Sequence, residues 1–536
     1  METRRVIIAI ILCVGVLAVW QKMQPPPARP AQQAAAPSNQ PDAPAAPVAA
    51  APNPAPAATQ PEREVELSTP DVRFVFTTTG AALKHAELKD AKYRESTAGH
   101  DLVTTHEAER AAFRTTFAGA NFGSLGGSWQ VGEHSDKVVS FVAENADVRV
   151  EKRYIADSTR YRLHLDVIVQ NKTDRPQDHA MVVAVDGRQD PEKKGGGFLS
   201  GGAANLTSVL CYANGDIQRE PVEKLAKDPF EKTGTVPWFG TDEKFFLLAG
   251  APYPEDASRE RTCKGTSVDG SVGEASLRFT GRTVLPRSST TYSMAIFAGP
   301  KVITELEAVT PGGVEISLER AVDVSSKLTY VARPILFLLK FFYRYVHNWG
   351  LAIILLTLFI KLLTFYPTQK SLLSAKKMQK LAPKMNAIRK KYENDRQRQS
   401  VETMNLYKAH GVSPFGGCLP SLIQMPIWIA LYSTLNYAVE LYRAPFIFHI
   451  HDLTSKDPFY ITPLLMGGVM FLQMRMSPAS PDNQQQQTMQ VMMPVMFTAF
   501  SLVLPSGLAL YMLTSYLIGI LQQLYVNHID RKGATA

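Results

Sequence analysis

Lys361 stands inside the apolar run WGLAIILLTLFIKLLTFY (349–366) and is the one full charge within the six apolar runs long enough to approach or cross a bilayer. A lysine in hydrocarbon costs about 2.5 to 3.5 kcal/mol on insertion scales, so a charge at that depth points to a water-filled site that attracts an anionic group. The competing account is snorkelling. Lys361 lies five residues from Tyr366, and a four-carbon stem can lift its ammonium toward the headgroups. Either way the chemistry on offer is electrostatic rather than catalytic. No run carries a Ser and His pair suited to nucleophilic attack. The glycines of GGGFLSGG (195–202) lack the G-K-[ST] of a phosphate loop, and His85, His134 and His164 are scattered without metal-ligand spacing.

The elements that would position Lys361 follow from composition. The 536 residues are 45% hydrophobic and 20% charged, averages that mix two different halves. The first apolar run, 6–20, follows Arg4 and Arg5; the others are 349–366, 419–438, 459–474, 489–504 and 508–526. Crossing ~30 Å of hydrocarbon takes roughly 17 to 25 helical residues, and the first, fourth and fifth runs fall just short unless flanking residues join them. Segment 376–410 carries ten Lys or Arg against Glu393, Asp395 and Glu402, which the positive-inside rule assigns to the cytoplasm. Six spans then put both termini inside and residues 21–346 outside. A run behind two arginines also has the form of a signal peptide, but no A-x-A site follows Trp20 directly, so we read residues 1–23 as an anchor.

Residues 24–61 hold 12 Pro and 14 Ala in 38 positions, a composition that builds no core and forms an extended tether. Residues 62–315 alternate apolar and polar positions, as in Tyr161, Leu163, Leu165, Val167, Val169 and in Tyr292, Met294, Ile296, Ala298, separated by turns such as Asn214-Gly215-Asp216 and Asp269-Gly270. This predicts a large antiparallel β-sandwich outside the membrane. Cys211 and Cys263 both fall in it, where an oxidising compartment permits a disulfide. Residues 316–346 read as amphipathic, interfacial helices interrupted by Pro334, or as the unbroken start of the 347–367 span. Residues 368–413 form a basic helical hairpin with a thin apolar seam (Leu381, Met385, Ile388, Tyr392; then Val401, Met404, Tyr407), a turn at Asn394-Asp395 and an interruption at Pro383. Its basic face comprises Lys376, Lys377, Lys380, Lys384, Arg389, Lys390 and Lys391. The remaining spans occupy 414–526, and 527–536 is a cytoplasmic tail.

The second half carries a series of short motifs in order: NWG at 348–350, the basic residue Lys361, LIQMP at 422–426, APF at 444–446, HDL at 451–453, DPFY at 457–460 and LPSG at 504–507. In these the chain closely resembles the YidC/Oxa/Alb membrane protein insertases, specifically over about 318–526. An extra first span and a large outer β domain resemble the Gram-negative form. The resemblance implies a polytopic α-helical inner-membrane protein with six transmembrane helices, a five-helix core and a periplasmic antiparallel β-sandwich of supersandwich type. It implies a hydrophilic groove open to cytoplasm and lipid, with Lys361 at the charged position and Thr357 and Gln424 as polar lining. Family members often have Arg at that position, so a charge role transfers better than a bidentate geometry. Client contact would fall to Pro426, Met466, Met496, Phe500, Tyr511 and Met512. Met512 departs from the family's Tyr-Tyr, which puts a role needing a phenol there in doubt.

The implied partners are nascent membrane proteins with short polar or acidic tails, the Sec translocon, a ribosome or nascent-chain complex at the hairpin, and the lipid bilayer. No cofactor, metal or catalytic residue is implied. A transporter or lipid flippase is the alternative, but that class typically shows repeated halves or an intramembrane acid, and the apolar runs contain no Asp or Glu.

Overall fold

The computed structural model describes residues 61–94, 99–123, 125, 127–190, 206–254, 260–322, 329–411, 419–476 and 484–535. The first apolar run, most of the Pro/Ala-rich tether and GGGFLSGG lie outside them. Residues 57–536 form one compact unit.

The outer half is built from antiparallel β-sheets, as the alternation predicts. Strand Arg162–Asn171 buries Leu163, Leu165, Val167 and Val169 while the residues between them stay partly exposed, the period of two of a pleated strand. It pairs with Val148–Ala156 on one side and Ser289–Pro300 on the other, inside a nine-stranded sheet. A six-stranded sheet centres on Val272–Arg278 and Gln177–Arg188, and a four-stranded meander begins at Glu64–Ser68. Their buried side chains belong to one continuous apolar core. Phe246–Pro252 is buried at every residue, because it lies deep in the nine-stranded sheet between Trp238–Asp242 and Ser289–Pro300. The Asn214-Gly215 turn joins its two strands with φ of 52° and 82°, the left-handed values that a two-residue hairpin needs. Cys211 and Cys263 form a disulfide with Cα atoms 6.2 Å apart, tying the nine-stranded sheet to the six-stranded one.

The second half is helical. Thr329–Val346 is continuous through Pro334, which corrects the expected interruption. The proline sits near the N-terminal end, where few helical hydrogen bonds precede it. This helix buries Ala332, Ile335 and Leu339, and its open face mixes the basic Arg333 and Arg344 with Phe337, Phe341 and Tyr345. His347 then takes φ of 51°, and Asn348 caps the next helix, its side chain accepting from Leu351 N at 3.1 Å. Trp349–Leu363 bends by 63° into Phe365–Lys380. The basic hairpin follows as Ala382–Lys391 and Arg396–Ala409, with Pro383 in the first turn of a new helix rather than inside an old one. Leu419–Tyr437, Ile461–Met476, Gln484–Ser501 and Ser506–Thr535 complete the half.

Among the described residues, one helix, Ser506–Ile529 within the last of these, is by itself long and apolar enough to cross a bilayer. The bent Trp349 pair qualifies if taken as one span, and Ile461–Met476 and Gln490–Ser501 are shorter apolar helices.

The motifs of the second half are largely cap and turn chemistry. Phe446 of APF lies against Gly350, where an added Cβ would come within 2.0 Å of its ring. Asp452 of HDL accepts from Arg443 N, Thr454 N and Thr454 Oγ1. Asp457 of DPFY accepts from Phe459 N and Thr462 N, holding the start of the Ile461 helix. Ser506 and Gly507 of LPSG donate their amides to Ser455 O and Leu453 O. One loop, 444–460, thus sets the entry of three helices.

The same region meets the β domain. Tyr442 packs against Tyr93, Phe245 and Phe246 with ring centroids 6.2, 5.1 and 5.5 Å away. Lys92 Nζ donates to Val439 O at 3.2 Å and Glu440 O at 3.0 Å. Burial holds the Lys92 ammonium below its ordinary pKa.

Candidate functional site

Lys361 occupies the last turn of Trp349–Leu363, immediately before the 63° bend. Its side chain is partly buried, and its Nζ lies 3.4 Å from Gln424 Oε1 on the Leu419–Tyr437 helix. Gln424 Nε2 in turn donates to the Tyr511 hydroxyl on the Ser506–Thr535 helix. Three helices therefore contribute one polar side chain each to a connected chain. Among the described residues no carboxylate pairs with Lys361, and its partner is a neutral amide oxygen. A lysine in that state offers its remaining donors to an incoming acceptor.

The neighbouring helices also pack closely. Gly467 faces Thr498 and Gly519 faces Gln473 at distances that an added Cβ would reduce to 2.0 and 2.3 Å. Small residues let helix backbones approach where lipid supplies no drive to associate. Leu356, Ala430, Leu431, Leu508 and Met512 fill the apolar layer beside the polar chain.

Each expected site residue has a definite place. Gln424 joins Lys361. Thr357 is fully buried and its Oγ1 donates to Ile353 O at 2.7 Å, so its hydroxyl is engaged within its own helix. Pro426 is exposed, Met496 is exposed at 57% and Phe500 is half-buried. Met466, Tyr511 and Met512 are buried in the helical core at 0%, 2% and 4%. The expected contact set thus divides into an accessible group and a packed group.

Sequence reasoning missed Val491, Met492 and Val495, which with Met496 form an exposed apolar ridge along Gln484–Ser501. Their spacing of one and four residues carries that signal. On the hairpin, Lys377, Lys380, Lys384, Arg389, Lys390 and Lys391 are exposed, while Lys376 is half-buried with Nζ 3.5 Å from Val526 O. The two arms touch through Tyr407 Oη and Met385 Sδ at 2.8 Å and through Gln399 Nε2 and Arg389 O at 3.2 Å.

Residues 341–533 match the family described as 60Kd inner membrane protein, and residues 64–338 match the YidC periplasmic domain. The membrane protein insertase YidC of Syntrophus aciditrophicus (strain SB) is 34% identical over 98% of this chain and 99% of its own. That of Anaeromyxobacter sp. (strain Fw109-5) is 36% identical over 98% of this chain and 97% of its own. A crystal structure described as an active YidC insertase with the first transmembrane domain resolved aligns over 86% of this chain and 92% of its own at 19% identity, with a TM-score of 0.38. With both halves matched and relatives similar along the whole length, the chain belongs to the YidC family of membrane protein insertases.

Proposed function

We propose that this insertase works by electrostatic attraction at Lys361 followed by partition of the client into lipid. The observation that carries the reading is the Lys361–Gln424–Tyr511 chain, a cation held among three helices with no anionic partner among the described residues. A polar or acidic client tail enters the hydrated side of the helical half and meets Lys361. At ~4 Å and an effective dielectric of ~20, one ion pair contributes about 4 kcal/mol before desolvation, which favours entry without trapping the client. The client's apolar helix then moves sideways past Pro426, Met496 and Phe500, and hydrophobic transfer drives the step without nucleotide hydrolysis. Met466, Tyr511 and Met512 contact client once the helices part.

The same reading assigns six membrane spans, a five-helix core and both termini to the cytoplasmic side. The excess of Lys and Arg on 376–410 supports a cytoplasmic hairpin, and by the family resemblance that hairpin meets a ribosome or nascent chain while the Sec translocon is the expected partner for larger clients. The outer β domain is then periplasmic and the protein resides in the bacterial inner membrane.

The test is insertion of a small acidic-tailed client into proteoliposomes, scored by protease protection, comparing wild type with Lys361→Arg, Lys361→Ala and Lys361→Glu at equal folded amounts. Activity in Arg with loss in Ala and Glu supports the charge mechanism. Equal activity in all four sinks it and leaves Lys361 as a snorkelling residue.

A further inference from the structure

We propose that His85, Asp101 and His106 form a binding site for a divalent transition-metal ion of the zinc class at the edge of the four-stranded sheet. Of the three histidines scattered along the sequence, His85 alone is here, and the fold brings it to His106. His85 lies on Ala82–Leu88, Asp101 ends His100–Asp101, and these two strands pair with Glu87 opposite Asp101. His106 follows in the loop that leaves the second strand. The three ligand atoms lie within 4.8 Å of one another.

Asp101 is pre-oriented for this role. Its Oδ1 accepts the backbone amides of Ala86 at 2.9 Å and Val103 at 3.0 Å, which fixes the carboxylate plane. Its Oδ2 is thereby turned toward both imidazoles, 2.6 Å from His85 Nδ1 and 3.9 Å from His106 Nδ1. The two rings stack with centroids 5.4 Å apart at 29°. Ligand atoms bound at 2.0–2.2 Å to a tetrahedral ion stand roughly 3.3 Å apart, so closure takes shifts of less than about 1 Å at each of these two distances. His106 is the ligand able to make the larger movement, since its side chain is 63% exposed. That exposure also leaves room for solvent in the fourth position.

Two imidazoles and one carboxylate suit zinc and its neighbours rather than calcium or magnesium, which prefer oxygen donors. The bound ion would clip the loop after Asp101 to the sheet edge.

The experiment uses the untagged full-length protein in detergent, stripped of metal and titrated with Co²⁺, whose visible absorption reports coordination, followed by displacement with Zn²⁺. One equivalent of Co²⁺ binding, displaced by Zn²⁺ and weakened at least about tenfold in His106→Ala, is the expected result. His106 is exposed, so this variant keeps the fold; Asp101→Asn, nearly isosteric, is the second variant and weakens binding likewise. No saturable one-equivalent signal, or a signal unchanged in both variants, overturns the site and leaves the His85–Asp101 contact as a hydrogen bond only.

Discussion

Lys361 Nζ rests 3.4 Å from Gln424 Oε1, although the two residues belong to different helices, and Gln424 links in turn to Tyr511 on a third. Gln424 therefore orients the ammonium rather than neutralising it. Gln424→Leu keeps the charge and removes its partner. We expect client insertion to fall by roughly fivefold, about 1 kcal/mol, with a smaller loss than Lys361→Ala. Tyr511→Phe, which deletes the hydroxyl that Gln424 donates to, should lose no further activity when combined with Gln424→Leu. Additive losses in the double variant would show that the two act separately.

Two adjacent glycines should respond in opposite ways. A Cβ at Gly467 would stand 2.0 Å from Thr498 Oγ1, whereas nothing lies within 4 Å of one at Gly468. Gly467→Ala should destabilise the helical half by roughly 1 to 3 kcal/mol, and Gly468→Ala should be neutral or stabilise it by up to about 1 kcal/mol. Thermal unfolding in detergent measures both, and equal midpoints would contradict the close helix contact.

The Cys211–Cys263 bridge closes a separation of 52 residues between two sheets. Loop entropy alone gives it about 4 kcal/mol of stabilisation. The double Cys→Ser variant should melt roughly 8 to 16 °C lower in the β domain. A shift of under about 2 °C would mean that the apolar core holds the sheets without it.

Lys152 is fully buried in the β domain, its Nζ donating to Phe113 O at 2.9 Å with no carboxylate beside it among the described residues, and burial pushes its pKa down to about 7. The unfolded chain keeps the ordinary value near 10.4. Between those values the unfolded state binds a proton that the folded state lacks, so stability rises with pH across that window and is lowest below it. Lys244, pushed down to about 8 by burial, adds in the same direction. Denaturant unfolding of Lys152→Met from pH 6 to 10.5 should show a shallower rise than wild type. Identical slopes would remove Lys152 as the cause.

Tyr442 sits between Tyr93, Phe245 and Phe246 and is the aromatic bridge from the helical half to the β domain. Truncating it should loosen that contact by about 2 to 4 kcal/mol. Tyr442→Ala should therefore expose residues 439–443 to limited proteolysis while each half keeps its own circular dichroism. Unchanged cleavage rates would show that Lys92 and its hydrogen bonds suffice.

Much of this molecule was legible in local pattern. Period-two alternation marked Arg162–Asn171 and Ser289–Pro300, and Asn214-Gly215 marked a turn, because each depends on residues close together in the chain. Pro334 misled, since a proline near a helix start removes little and does not break it. What lay beyond reading is everything set by distant pairing. That Gln424 faces Lys361, that Met466 and Met512 are packed inward while Met496 is outward, and that His85 meets Asp101 and His106 all follow from which faces and strand edges come to lie together. Composition and spacing carry hydrophobicity and period, and so identify the elements; the rotation of one helix against another is decided by side-chain packing between segments, such as Gly467 against Thr498, that no local pattern records.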